Sequence, residues 1–303
     1  MPSLSARLIN LALPLLGIKR FFGQPERLAE RIAKLRRQKP LRPKAKWHRD
    51  FDIAEHTERG YPVVTITPKS ATATDAPHLL YLHGGGYVMD IAAVHWDTVL
   101  RLCAMLGASA TVPVYPLAPE HKASEVLAAM QSLYLELATA HGAERITIMG
   151  DSAGGGMSLA LAQRLKFHGG PLPGKLVLWS PWVDATASDP AQRAVEPKDR
   201  MLAISGLDAC GRMYAGDLPP DHPGVSPLFG DLSGLPPMAI FSGTSDILIV
   251  DGRRLAGKLR ALGAPHEYHE YVDMFHVWML LPIPEGRQAL AQTAAFIQHR
   301  EAA

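Results

Sequence analysis

Hydrophobic and polar positions along the chain follow two periods that take turns. Short apolar or β-branched runs at 61–67, 78–82, 108–115, 146–149, 175–179, 238–241 and 267–272 read as strands. Longer segments at 96–106, 124–141, 157–167, 205–214, 253–262 and 285–299 read as helices. Within 124–141, Val126, Met130, Leu133 and Leu137 recur at helical spacing, and Gly142 ends the pattern. Alternation of this kind predicts an α/β chain whose mostly parallel central sheet is covered on both faces. The 61–67 run alternates as an outer antiparallel strand should, and 68–77 reads as a polar turn.

Two stretches interrupt the alternation. The first 47 residues look helical, are cut by Pro14, Gly23, Pro40 and Pro43, and hold no strand pattern. Residues 186–222 are polar and punctuated by prolines, and an insertion between core strands has to lie on the surface. The expected division is a helical cap segment at 1–49, core at 50–185, a second cap segment at 186–222, and core again at 223–303.

Candidate chemistry sits where strands end. The 146–149 strand runs into Gly150-Asp151-Ser152-Ala153-Gly154, a G-x-S-x-G spacing. A strand-to-helix turn this sharp strains the serine backbone and needs small neighbours. The hydroxyl then stands at a helix N-terminus, where N–H groups favour developing negative charge. One such spacing could arise by chance, but a second segment changes the odds. The 78–82 strand runs into His83-Gly84-Gly85-Gly86-Tyr87, whose N–H groups, with that of Ala153, suit an oxyanion hole. Gly84, Gly85 and Ala153 are the expected donors. His83, Gly86, Gly150, Asp151 and Gly154 are expected to shape the two turns.

A serine hydroxyl needs a base to take its proton and an acid to orient that base. Of thirteen histidines, His276 is the one just past a late strand and before the last helix. Asp246 follows the 238–241 strand and is the expected acid, giving the chain order Ser152, Asp246, His276. Asp251, at a helix start, reads as an N-terminal cap; Asp273 lies too near the histidine in sequence. Tyr87, Met89, Trp182 and Phe275 are candidate pocket walls by closeness to these motifs.

Composition trims the alternatives. Apolar residues make up 47% and charged residues 20% of 303, ordinary for a chain with a large core. Cys103 and Cys210 suggest no disulfide, so a reducing compartment is the default. Residues 8–18 fall short of the ~20 needed to span a bilayer, and no signal-cleavage pattern follows. A cytoplasmic protein without stable membrane insertion is expected. The net charge of +2 hides an asymmetry: the first 50 residues carry 13 Lys/Arg against three Asp/Glu. Leu28, Ile32 and Leu35 recur at helical spacing among these charges, so a solvated face of cap helices is expected rather than a nucleic-acid or membrane-binding arm. Gly169–Lys175 lacks the Ser/Thr and following helix of a phosphate loop. His266 and His269, three apart in a strand, point to opposite faces, so no metal or cofactor is implied.

These motifs resemble the hormone-sensitive-lipase-like family of α/β-hydrolases, from about residue 50 onward. The resemblance is carried by His83-Gly84-Gly85-Gly86, Gly150–Gly155, Ser180-Pro181-Trp182-Val183-Asp184, the 243–248 segment and Phe275-His276. It implies an α/β-hydrolase fold and a serine carboxylesterase whose cap comes from the N-terminus and an insertion before the last strands. The partner expected is a small-molecule ester; an exposed sheet edge would allow a homodimer. An interfacial lipase is one alternative. A hormone receptor on the same scaffold is another, although such relatives lost the base that this chain keeps. Two departures stand out: Pro116 where the family has arginine, and Asp273 where many relatives have glycine. Aspartate tolerates the left-handed backbone such a turn requires.

Overall fold

The computed structural model describes residues 2–70 and 76–299, so the 68–77 turn falls partly outside the described residues. Eight strands form one sheet: β1 (Phe51–His56), β2 (Val63–Pro68), β3 (His78–Leu82), β4 (Ser109–Pro113), β5 (Ile146–Asp151), β6 (Lys175–Trp179), β7 (Met238–Gly243) and β8 (His266–Tyr271). Their order is β1-β2-β4-β3-β5-β6-β7-β8. β2 pairs antiparallel with both β1 and β4, and the remaining pairs are parallel. This is the α/β-hydrolase arrangement expected, with one strand added. β1 covers the outer side of β2 and buries only Phe51, so it shows no two-residue period.

The helices are α1 (Leu4–Ala12), α2 (Ile18–Phe22), α3 (Leu28–Leu35), α4 (Ala93–Leu106), α5 (Ala123–His141), α6 (Ala153–Phe167), α7 (Ala191–Val195), α8 (Ile204–Ala215), α9 (Ile249–Ala261) and α10 (Pro284–Gln298). The central strands sort their side chains between two cores with a period of two. Leu80, Leu82, Ile148, Leu178 and Ile240 face the core under α5, α6 and α9. Leu79, Tyr81, Met149, Trp179 and Phe241 face the core under α4 and α10. Each fully buried aliphatic side chain contributes roughly 1.5–3 kcal/mol, so a one-residue slip of any central strand is strongly disfavoured.

The two interruptions of the alternating pattern meet in space. Ser3 Oγ donates to Glu285 Oε2 at 2.9 Å, placing the start of α1 beside α10. α2 and α3 bury Phe22, Leu28 and Ile32 in the other core. There α2 lies against α8 so closely that a Cβ on Gly206 would stand 2.1 Å from the Phe22 carbonyl oxygen. Cys103 and Cys210 are buried and unpaired. Among the described residues no helix is long and apolar enough to cross a membrane.

Candidate active site

Strands β5 to β8 are parallel neighbours, so the loops after them open on one edge of the sheet, where open α/β sheets place ligands. Ser152 stands between β5 and α6 with φ 53° and ψ −120°, outside the ordinary regions for a side-chain-bearing residue. Its N–H donates to Trp179 O at 2.8 Å, and its carbonyl accepts from Trp182 N at 2.9 Å and Gly156 N at 3.1 Å. The flanking glycines are dictated by contact. A Cβ on Gly154 would lie 1.9 Å from Leu82 O, and one on Gly150 would lie 2.4 Å from the same oxygen. The elbow is thus pressed onto the end of β3, from which the glycine loop departs.

Asp151 binds the two motifs together. Its Oδ1 accepts from Gly84 N at 2.9 Å and from Tyr81 OH at 2.5 Å, and His95 Nε2 stands 3.4 Å from Oδ2. Burial pushes this carboxyl up, but those three neighbours outweigh burial and hold it below the usual carboxylate range. The expected oxyanion donors need a correction here. The Gly84 N–H is taken by Asp151 and cannot also face a substrate. Among the described residues the N–H groups of Gly85, Gly86 and Ala153 have no hydrogen-bond partner. Gly85 (φ 117°) and Gly86 (φ 61°) turn the loop through conformations that favour glycine. His83 underlies the loop, stacked on Tyr115 at 4.2 Å with Nδ1 2.7 Å from Gly84 O. Burial, with His95 nearby, lowers its pKa to about 4, so the ring is neutral at pH 7.

Across the site, His276 Nδ1 lies 2.8 Å from Asp246 Oδ2, with both side chains buried. β8 is three strands from β5, about 14 Å at ~4.8 Å per strand, so the His276 loop has to lean back over the sheet. Val277 N reaches Ser180 Oγ at 3.2 Å, just past the end of β6 and beside the elbow. Ser245 N to Met274 O (3.0 Å) and Asp273 N to Thr244 Oγ1 (2.7 Å) stitch the leaning loop to the Asp246 loop. Asp273 has the left-handed backbone expected of it, with φ 56°. The Ser152 hydroxyl makes no hydrogen bond among the described residues, so of the three side chains the structure joins two. In unliganded sites such contacts commonly tighten only around substrate.

A carboxyl that the sequence did not single out completes this half. Asp199, in the 186–222 insertion, accepts from Met201 N (2.7 Å) and Leu202 N (2.8 Å) on Oδ1 and from Ile247 N (2.8 Å) on Oδ2. It is buried beside Asp246. Burial and that neighbouring charge push its carboxyl up to about 6. Burial opposes a charge on His276, yet Asp246, then Asp199 and Asp151, outweigh it and leave the imidazole pKa raised.

Residues 79–280 match a family defined by the α/β-hydrolase fold. The chain is similar to an acetyl-hydrolase of Streptomyces hygroscopicus, at 34% identity over 229 residues covering 74% of this chain and 76% of that protein. It is 32% identical to an esterase of Acinetobacter venetianus over 234 residues, covering 75% and 76%. Among solved structures, an esterase from the bacterial hormone-sensitive lipase family is similar with a TM-score of 0.74 at 30% identity, covering 85% of this chain and 86% of that one. The chain belongs to the hormone-sensitive-lipase-like family of α/β-hydrolases. In this family member Arg36, at the end of α3, meets the segment where Pro116 replaces the family's arginine. It donates to Val88 O (2.7 Å), Ala118 O (2.6 Å) and Glu120.

The four candidate pocket residues divide. Tyr87 stacks face to face on Tyr214 of α8 at 3.7 Å and lies 5.4 Å from the Trp182 ring, with half-buried Met89 packed against the same core. Phe275 belongs to the opposite core with Phe241 and Trp278, so it does not line a wall with the other three. Position beside His276 misled here, because neighbours in a loop need not share a face. Asp251 also differs from expectation. It lies inside α9, fully buried, and accepts from Val183 N (3.2 Å), Asp184 N (3.1 Å) and Gln192 Nε2 (2.8 Å), anchoring the loop after β6 rather than capping its own helix.

Proposed function

We propose that this α/β-hydrolase is a serine carboxylesterase acting on small-molecule esters of short to medium acyl length. Ser152 Oγ attacks the ester carbonyl carbon while His276 Nε2 takes its proton. Asp246, on Nδ1, fixes the tautomer that leaves Nε2 free and stabilises the imidazolium that forms. The carbonyl oxygen gains the negative charge and lies against the N–H groups of Gly85, Gly86 and Ala153. Collapse expels the alkoxide, which His276 protonates, leaving an acyl-serine. Water, deprotonated by His276, attacks the acyl carbon, and the acid leaves as Ser152 recovers its proton. Each N–H donor contributes about 2.7–4 kcal/mol to lowering the barrier. Residues 1–49 and 186–222 form the cap, with Tyr87, Met89 and Trp182 near the acyl group.

The observation that carries this reading is the buried Asp246–His276 pair on a loop drawn back to the strained serine. A receptor on the same scaffold has no use for that pair. Ser152→Ala should abolish turnover of p-nitrophenyl butyrate and labelling by a fluorophosphonate probe, with the circular dichroism spectrum unchanged. Near-normal turnover in that variant refutes the assignment.

A further inference from the structure

The N-terminal arm is apolar on two opposite sides. Ala6 and Leu13 are buried against the core, as an amphipathic surface helix requires. Leu4, Leu8 and Leu11, spaced four and three apart on the far side of α1, are 72%, 57% and 65% exposed. Leu15 (88%) and Leu16 (67%) extend the apolar surface through the 3₁₀ turn Leu13–Leu16. Scattered exposed leucines are ordinary, but five within 13 residues of one arm form a patch that marks an interaction site.

Charge selects the occupant. No Asp or Glu occurs before Glu26, while the first 50 residues hold a net charge of +10. Among the described residues, the side chains of Arg20, Lys34, Arg37 and Lys39 form no ion pair or hydrogen bond. A second copy docking through the same patch would place this cationic arm against itself. One helix strip about 20 Å long also offers less than the roughly 800 Å² per partner of a stable dimer. An anionic lipid surface suits both features, with the leucines entering the acyl boundary and exposed Arg20, four residues past Leu16, meeting the headgroups. Against the expectation of a merely solvated face, these exposed leucines lead us to infer that α1 and its following turn dock this enzyme peripherally on anionic lipid surfaces.

The arm continues directly into the candidate site. Phe22, at the end of α2, would touch a Cβ on Gly86 at 3.2 Å, and Arg36 holds the carbonyl of Val88 beyond the glycine loop. Docking would therefore set the cap beside lipid-borne esters. That consequence rests on the esterase reading; the docking itself does not.

The test is co-sedimentation of the full chain with vesicles of phosphatidylcholine alone or mixed with phosphatidylglycerol, at 0.15 M salt. Wild type should pellet with the mixed vesicles and stay in solution with the neutral ones. Leu4→Ser/Leu8→Ser/Leu11→Ser should weaken binding more than tenfold. Arg20→Ala should weaken it about fivefold. Each variant should keep wild-type turnover of dissolved p-nitrophenyl butyrate, which shows that it folds. Equal binding to both vesicle types, no binding to either, or a dimer in sedimentation velocity that the serine variant dissolves would overturn the docking. Inactive wild type towards the dissolved ester, with vesicle binding intact, would instead count against the esterase reading alone.

Discussion

The two halves of the candidate site are held by different forces. On the β7–β8 side, Asp199, Asp246 and His276 are fixed by named hydrogen bonds from backbone and side chain. On the β3–β5 side, the serine elbow and glycine loop share the hydrogen bonds of Asp151 but are also pressed together backbone against backbone, and three N–H groups are left open. The hydrogen-bonded half should therefore lose function by degrees as partners are removed. The sterically fixed half should tolerate almost no added atom, because no rotamer change relieves a clash with main chain.

Gly154→Ala should produce the largest effect. Alanine is the better helix former by about 1 kcal/mol, yet its Cβ would sit 1.9 Å from Leu82 O and 2.6 Å from His83 O. We expect little soluble protein or a stability loss above about 4 kcal/mol in urea titration, at the exceptional end for single substitutions. Gly257→Ala is the control, in α9 with nothing within 4 Å of its added Cβ. It should stabilise by roughly 0.5–1 kcal/mol. Equal behaviour of the two variants would show that contact with β3 does not hold the elbow.

Asp199→Asn tests the other half and should act more mildly. The carboxamide fills the same space but removes the negative charge that helps raise the His276 pKa. We expect kcat to fall about tenfold, equivalent to one charged hydrogen bond at ~1.5 kcal/mol. His276 has to be neutral to act as base, and its raised pKa in the free enzyme sets the acid limb of the kcat/KM profile above the ordinary 6.5. Losing the Asp199 charge lowers that pKa, so the limb should move to lower pH. Stability carries a separate sign. The folded Asp199 carboxyl, raised from 3.8 to about 6, keeps a proton that the unfolded chain releases. Its contribution is present below pH 3.8 and is lost as pH climbs through 6. The variant lacks this loss, so its stability relative to wild type should improve from pH 4 to 6. A purely structural aspartate would lower stability without moving the acid limb.

The sequence was most informative where one residue type had one use. Strand period, the Gly150–Gly154 bracket and the pairing of Asp246 with His276 were legible because sheet alternation, a tight turn and a late loop each demand particular residues. It failed where several equivalent groups competed. Nothing in His83-Gly84-Gly85-Gly86 says which N–H turns inward; only Asp151 accepting from Gly84 decides it. Asp199 is one acid among several in a polar insertion, and its burial depends on how 186–222 folds over β7. Phe275 adjoins His276 in sequence but faces the other core, since a loop carries no period to assign sides.

The smallest expected effect concerns the lean of the His276 loop. Ser180→Ala removes the hydroxyl that Val277 N–H reaches at 3.2 Å, while the Ser180 N–H keeps its bond to Phe241 O at 2.8 Å. Val277 is only half-buried, so water can replace part of the lost contact. Stability should fall by no more than about 1 kcal/mol. The loop should then sample positions further from the elbow, lowering kcat a few-fold and leaving KM unchanged, because the imidazole moves while the ester contacts stay. No charge is altered, so the acid limb should stay in place. A shift of that limb as large as in Asp199→Asn would mean that loop position, and not the carboxylate of Asp199, sets the proton affinity of His276.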